Sequence, residues 1–283
     1  MIKFEHTEVV GWEHAIRGMR NPMNSWEKSD SGWTRVSHEE AVDIYNDDSI
    51  EIIDECDRDE EGVSFYIIGK NDRDLMMQLR NAGTDHRKFM RMITVYVDIT
   101  APLYWWKEFD TYKVGTVANS CSTMHKIHAK RFERDDFSHE HLMDGGNYIL
   151  NSTIDMLNEY RAQYLETKDK KYWWQMIQLL PSSYNQRRTV MLNYEVLANI
   201  YKSRQNHRLD EWCLHITPQE HEFCNKDFAS GKWGFCDWIE TLPYSELITG
   251  PDLSRIPICD ELVEEAKERV KMDTYAVTPR NKE

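Results

Sequence analysis

Several features are missing from this sequence of 283 residues, and each absence narrows the classes of protein to consider. None of the six cysteines belongs to a C-x-x-C pair, so they are interpreted as reduced thiols of a cytoplasmic protein. No apolar run approaches the length of a membrane span, and no internal repeat is present. Positively charged residues are also few, because the chain has 35 Lys and Arg but 49 Asp and Glu, which gives a net charge of −14. We therefore expect neither a membrane nor a nucleic acid as a partner.

Apolar and aromatic residues, by contrast, are plentiful. They make up 40% and 12% of the chain, and ten Trp and 14 Tyr are included. This content is enough for a sizeable core in one large domain or two small ones. Because the chain is acidic, a site for a nucleotide would need a local cationic pocket inside an acidic envelope.

Hydrophobic periodicity predicts a mixed α/β architecture. Alternating side chains over 93–100 predict a half-buried, antiparallel strand. Apolar residues at helical spacing predict helices over 148–167 and 171–180. The acidic run DECDRDEEG is interpreted as a solvated loop, and residues 144–147 as a turn. Further predicted elements are strands over 1–10 and 65–68 and helices over 12–19, 38–45 and 72–81.

The stretch 180–215 is predicted to be one long helix with a polar entry, because it contains neither Gly nor Pro after Pro181. Spacings of three to four residues place one set of side chains on a common face: Asn193, Leu197, Ile200, Arg204 and Arg208. This face is apolar in the middle and polar or cationic at its ends. Two guanidiniums one turn apart are suited to bidentate phosphate binding, and the alternative is an amphipathic helix with solvated arginines.

The order Leu-Pro181, Asn193, Asn199, Arg204 resembles, without a gap, the C-terminal half of the flavin-dependent thymidylate synthases. The resemblance implies that Asn193 and Asn199 lie against FAD and that Arg204 helps to hold deoxyuridine monophosphate (dUMP). A family His that contacts the flavin corresponds to Arg208 here. In a Gly-His segment of the family, Thr84 stands in place of the His and is interpreted as a flavin contact.

The signature of that family, R-H-R-x-x-S-x-N-E-x-S-x-R-Y, survives only in part within 104–128. Lys113 is the one basic residue kept at the R-H-R positions. With a shift of one residue, Asn119 matches the motif Asn and Ser122 matches the second Ser. The resemblance then implies that Lys113 and Asn119 bind the nucleotide and that Ser122 acts catalytically beside the uracil.

For the whole chain, the resemblance implies an α/β (α+β) fold with a central antiparallel sheet flanked by helices. The expected reaction is the flavin-dependent methylation of dUMP to dTMP, with FAD as cofactor and methylenetetrahydrofolate and NADPH as co-substrates. The family forms homotetramers, so a homo-oligomer is expected. Residues 1–215 would form the thymidylate synthase-like domain, and 216–283 an aromatic-rich helical extension packed on it.

Two departures from the family leave alternatives open. A nucleotide-binding Arg of the family is Ile177 here, and another is Glu195, which would repel a phosphate. The chain is therefore either a thymidylate synthase, a nucleotide-binding or nucleotide-modifying homologue without that activity, or an interaction protein with a Trp-rich surface. His125 and His128 have the spacing of metal ligands on a helix but lack a third ligand, so no metal is expected.

Overall fold

The fold was analysed in a computed structural model, which describes residues 2–46, 53–59, 61–213 and 234–250. Contacts divide the chain into Met1–Thr249 and Gly250–Glu283, and all described residues except Gly250 belong to the first unit. The extension predicted for 216–283 lies mostly outside the described residues. Within the described ranges, no helix combines the length and the apolar content that a membrane span requires.

An antiparallel sheet of four strands forms the centre of the first unit. Its strands are β1 (Lys3–Val10), β5 (Thr94–Pro102), β6 (Val117–Ser120) and β7 (Asn185–Asn193), in the order β1-β5-β7-β6. The alternation predicted for β5 is confirmed, because Val95, Val97 and Ile99 are buried while Tyr96 is 41% exposed. One face of the sheet therefore packs on a core, and the other presents polar and partly exposed side chains.

A second antiparallel sheet contains β2 (Gly32–Val36), β3 (Asp54–Asp59) and β4 (Gly62–Ile67), in the order β2-β4-β3. Strand β4 is buried almost throughout, as the apolar run at 65–68 predicts. The prediction of a loop for the acidic run is wrong, because Asp54–Asp59 pairs with β4 from Asp54↔Tyr66 to Asp59↔Gly62. Main-chain pairing with a buried neighbour outweighs the low strand propensity of Asp and Glu.

Helices pack against both sheets and against one another. They are α1 (Trp12–Arg20), α2 (His38–Asn46), α3 (Lys70–Asn81), α4 (Leu103–Phe109), α5 (Asp144–Thr167), α6 (Lys170–Leu179), α7 (Tyr194–Arg204), α8 (Phe235–Glu240) and α9 (Glu246–Thr249). The main core joins the central sheet to α1, α3, α4, α7, α8 and α9. A separate core lies between α5 and α6, and a small third core lies between α2 and the second sheet. Residues 144–147, predicted to be a turn, are instead the first turn of α5. The fold class predicted from the sequence is confirmed: an antiparallel sheet flanked by helices.

The predicted long helix over 180–215 is wrong in its first and last parts. Residues Asn185–Asn193 form a strand, and the helix that follows ends at Arg204. The strand forms because it lies between β5 and β6, where its main chain pairs on both sides. Val190 and Leu192 alternate into the core, so a period of two fits these residues better than a helical period.

Asp72, at the start of α3, holds the first part of the chain together. Its carboxylate accepts hydrogen bonds from Arg20 Nε (2.6 Å), from the hydroxyls of Ser29 and Ser31, and from the main-chain amides of Asp30 and Ser31. Asp72 is fully buried, and the Arg20 side chain is only 5% exposed. A buried carboxylate with this many donors is stable in its charged form.

Candidate functional site

The helix α7 and the segments on its two sides contain most of the residues singled out by the sequence. Asn193 is the N-cap of α7, and its Oδ1 accepts a hydrogen bond from the main-chain N–H of Val196 at 3.0 Å. Its Nδ2 lies against Gly115, where an added Cβ would be 3.0 Å from Nδ2 and 2.9 Å from Val196 Cγ2. Gly115 also has φ +75, so a glycine is needed there for both reasons. Asn193 is thereby placed at the boundary between α7 and the loop that leads into β6.

Asn199 lies on another side of α7 and faces the short 3-10 helix Arg87–Arg91. Its Oδ1 accepts a hydrogen bond from an Nη of Arg87 at 2.9 Å, and its side chain is exposed. The Arg87 side chain is only 15% exposed, and its Nε is buried without a hydrogen-bond partner. Arg87 and Arg91 were not singled out from the sequence. Their spacing of four residues within RKFMR is a signal that could have indicated a shared cationic face.

Glu195 faces the same two arginines. Arg91 donates to both of its carboxylate oxygens, from Nε to Oε2 and from an Nη to Oε1 at 3.3 Å. Arg87 Nε lies 3.7 Å from Oε1, within ion-pair distance. The hydrogen bond that Arg91 donates to Glu195, together with the charge of Glu195, raises the pKa of Arg91. The negative charge of Glu195, which alone would repel a phosphate, is thus matched by two guanidiniums.

A third arginine adds to the positive charge on this side of α7. Arg80, in the last turn of α3, donates to the main-chain carbonyls of Leu247 and Ile248. Burial, and after it the charge of Arg87, lowers the pKa of Arg80. Here we call Arg80, Arg87 and Arg91, with Glu195 and Asn199, the arginine cluster. Three guanidiniums and one carboxylate leave it with a positive charge in a protein of net charge −14.

Arg204, at the C-terminal end of α7, lies in a different environment. It donates to Glu108 Oε2 at 2.7 Å and to the Tyr112 hydroxyl at 2.8 Å, and its guanidinium lies 4.8 Å from the ring centroid of Trp212. The Trp212 indole also donates to Glu108 Oε2, at 3.1 Å. The Arg204 side chain is 18% exposed. A phosphate bound by Arg204 would therefore compete with the Glu108 carboxylate.

The other predicted site residues are exposed and dispersed. Arg208 lies beyond the end of α7, and Thr84 lies in the turn that precedes Arg87. Lys113 lies in the loop before β6, and Asn119 lies on β6 opposite Thr189. Ser122 follows β6, and its Oγ accepts hydrogen bonds from the main-chain amides of Met124 and His125 at 3.2 and 2.9 Å. Among the described residues, no group of three side chains is arranged to hold a metal.

The structure therefore groups the predicted residues by the side of α7 on which they lie. Asn199 and Thr84 lie towards the arginine cluster, and Asn193 lies towards the loop with Lys113 and Gly115. Arg204 lies with Glu108. The roles assigned to these residues stay predictions.

The arginine cluster offers hydrogen-bond donors and positive charge that suit an anion such as a phosphate. Arginine donates through five N–H groups, and a guanidinium matches phosphate geometry. The buried Nε of Arg87 has no hydrogen-bond partner, and Asn199 is exposed beside it. Asn199 and Arg91, which are both exposed, are donors of this cluster that an anion can reach.

A cavity of about 570 Å³ lies elsewhere, along β1 and α8. Its lining includes Ile2, Phe4, Trp238 and Leu242, and it is mostly apolar. None of the predicted site residues lines it. Its size is that of a ligand pocket, yet the polar groups that suit a nucleotide are at α7.

Similar structures exist, but they are remote. No protein-family model matches the chain, and neither does any curated protein sequence. A flavin-dependent thymidylate synthase ThyX from Helicobacter pylori, complexed with FAD and dUMP, is 13% identical with a TM-score of 0.49, over 88% of this chain and 96% of that one. A second structure of that enzyme is 11% identical, with a TM-score of 0.49 and coverage of 88% and 95%. The UMP/dUMP methylase PolB from Streptomyces cacaoi is 12% identical with a TM-score of 0.39, over 85% and 90%. Likeness at this level does not establish a shared ligand or activity.

Proposed function

We propose that this protein binds FAD and a deoxyuridine monophosphate on the two sides of α7 and methylates the nucleotide to dTMP. The observation that supports this proposal best is the arginine cluster, a local positive charge in an acidic chain. It provides the local positive charge that a nucleotide site in an acidic protein requires. The proposal is also consistent with the spacing of Asn193, Asn199 and Arg204, which lie at the end of a strand and along the helix that follows it.

The roles of the residues follow from their chemistry. Asn199 donates to the cofactor phosphates, beside the positive charge of Arg87 and Arg91. Arg204 binds the nucleotide phosphate once Glu108 is displaced, and Lys113 and Asn119 bind the nucleotide from the β6 side. Ser122 acts beside the uracil, and Asn193, Thr84 and Arg208 contact the flavin.

When bound, FAD supplies the hydride chemistry, with NADPH as the reductant and methylenetetrahydrofolate as the carbon donor. The chain's own residues bind and orient the reactants. This division explains why a changed signature need not abolish the reaction, since binding groups can be supplied from different positions.

The first test is the visible absorption spectrum of the protein after FAD is added and the excess is removed by gel filtration. We expect flavin bands to be retained.

In a fluorescence titration with dUMP, Arg204→Ala should weaken binding roughly tenfold or more, because a charge-assisted hydrogen bond is lost. Arg17→Ala is the control, since Arg17 is an exposed arginine paired with Glu13 on α1.

Activity is read as release of tritium from C5 of the uracil, because methylation at C5 replaces that hydrogen. Release that depends on FAD, NADPH and methylenetetrahydrofolate is the expected result. An Arg204→Ala variant that binds dUMP as tightly as the unaltered protein would contradict the assigned nucleotide site.

A second candidate function is a nucleotide-binding homologue that no longer methylates dUMP. The pairing of Arg204 with Glu108 favours it, together with Ile177 at a family arginine position. Retained flavin and dUMP without release of tritium would identify this second function.

We also infer that the protein forms a homo-oligomer, with a tetramer as the expected state. Ile149 and Met156 are seven residues apart on one side of α5, and both are exposed, at 66% and 39%. Tyr148 and Met143 add to this apolar surface, at 73% and 85% exposed. Sedimentation equilibrium is expected to give a multiple of 33.8 kDa. The double variant Ile149→Glu, Met156→Glu should shift the mass towards the monomer, and an unchanged mass would contradict this interface.

A further inference from the structure

Two residues of α7 and two residues of the 3-10 helix Arg87–Arg91 form a two-by-two array. Glu195 and Asn199 are one turn apart on α7, and Arg87 and Arg91 are four residues apart opposite them. Arg91 pairs with Glu195, and Arg87 pairs with Asn199. Arg91 therefore donates hydrogen bonds to a charged partner and Arg87 to a neutral one, while Arg87 also lies within ion-pair distance of Glu195.

The pairing with Arg87 determines which way the Asn199 amide points. A guanidinium only donates hydrogen bonds, so the atom 2.9 Å from its Nη must be the acceptor Oδ1. The assignment of oxygen and nitrogen in an Asn side chain is otherwise ambiguous. The Nδ2 group, with two hydrogens, consequently points away from Arg87. Within the described ranges, Nδ2 has no hydrogen-bond partner, and Asn199 is exposed.

Arg87 is itself held in place by its surroundings. Its side chain is 15% exposed, and its Nε lies 3.7 Å from Glu195 Oε1. Arg91 supplies the hydrogen bonds to Glu195, so the Nη of Arg87 is left for Asn199. Arg87 thus supports Asn199 from beneath, on the side away from solvent.

We propose that Arg87 is a positioning residue that fixes the Asn199 amide with its Nδ2 hydrogens outward. The exposed surface of α7 then presents hydrogen-bond donors at this point, and the positive charge of Arg87 and Arg91 beside them favours an oxyanion as the acceptor. The pyrophosphate of a dinucleotide cofactor is such a group. The identity of the cofactor rests on the proposed function, whereas the preference for an oxyanion rests on the array.

Isothermal titration with inorganic pyrophosphate and, separately, with FAD tests this role. Asn199→Asp retains the acceptor for Arg87 but removes both donors and adds a negative charge. We expect its melting temperature to be unchanged and its affinity for pyrophosphate to fall roughly a hundredfold. Arg87→Gln should weaken binding roughly tenfold, and Arg87→Lys should restore part of the loss because an ammonium also donates. Lys88→Gln is the control, since it removes the same charge from an exposed position on the same segment.

A double-mutant cycle separates positioning from direct binding. In an Asn199→Ala background, Arg87→Gln should reduce the affinity for pyrophosphate much less than it does in the unaltered protein, because only the effect of the lost charge remains. Additive losses would overturn the proposal, because Arg87 would then bind the anion itself. An Asn199→Asp variant with unchanged affinity would also overturn it, and this variant covers the case in which Arg87→Gln does not fold.

If the unaltered protein binds pyrophosphate but not FAD, the proposed function fails and the positioning role stands. If it binds neither, the positioning role fails as well.

Discussion

Replacing Asp72 by Asn is expected to lower the free energy of unfolding by about 3–5 kcal/mol at pH 7. The substitution removes the charge that faces the buried Arg20 guanidinium and places an N–H group among the donors of Ser29 and Ser31. Urea-induced unfolding measures the change. Asp74→Asn is the matched control, because Asp74 is exposed on the same helix, and a change within about 0.5 kcal/mol is expected there.

The contribution of Asp72 to the free energy of unfolding is also expected to depend on pH. Burial by itself would raise the pKa of Asp72, but hydrogen bonds from Ser31, Ser29 and Arg20 outweigh it and hold this pKa below its ordinary value. A carboxyl with a lowered folded-state pKa contributes its full stability above the unfolded value of about 3.9 and loses it as the pH falls through the folded value. The difference in unfolding free energy between the unaltered protein and Asp72→Asn should therefore narrow on acidification below about pH 4. A difference that stays constant down to pH 3 would contradict this account.

Replacing Glu195 by Gln should change stability and anion binding in opposite directions. We expect the free energy of unfolding to fall by about 1–3 kcal/mol, because the buried Glu195 carboxylate is the counter-ion of Arg87. The affinity for pyrophosphate should rise about threefold to tenfold at low salt, since a negative charge leaves the arginine cluster. Urea unfolding and isothermal titration measure the two effects.

The control for Glu195 is Glu13→Gln, which removes the same charge from an exposed ion pair with Arg17. An exposed pair of this kind contributes about 0–1 kcal/mol, so little change in stability is expected. Weaker binding of pyrophosphate by Glu195→Gln would show that Glu195 orients the arginines rather than opposing the anion.

The sequence by itself determined the regular elements whose periodicity is strong and local. The alternation of Val95, Val97 and Ile99 predicted the strand β5, and apolar residues at helical spacing predicted α5 and α6. Local pattern suffices in these cases because the preference of each segment agrees with its position in the fold.

Tertiary structure alone decided the rest. Residues Asn185–Asn193 are a strand because β5 and β6 pair with them, and a short apolar run fits either period on its own. The pairing of Arg87 with Asn199 joins residues 112 positions apart, and that of Glu108 with Arg204 joins residues 96 apart. No local pattern specifies such contacts, since side chains so distant in sequence meet only when the sheet and its helices have packed. The partners of each arginine, and therefore which of them has donors for a ligand, are properties of the packed fold.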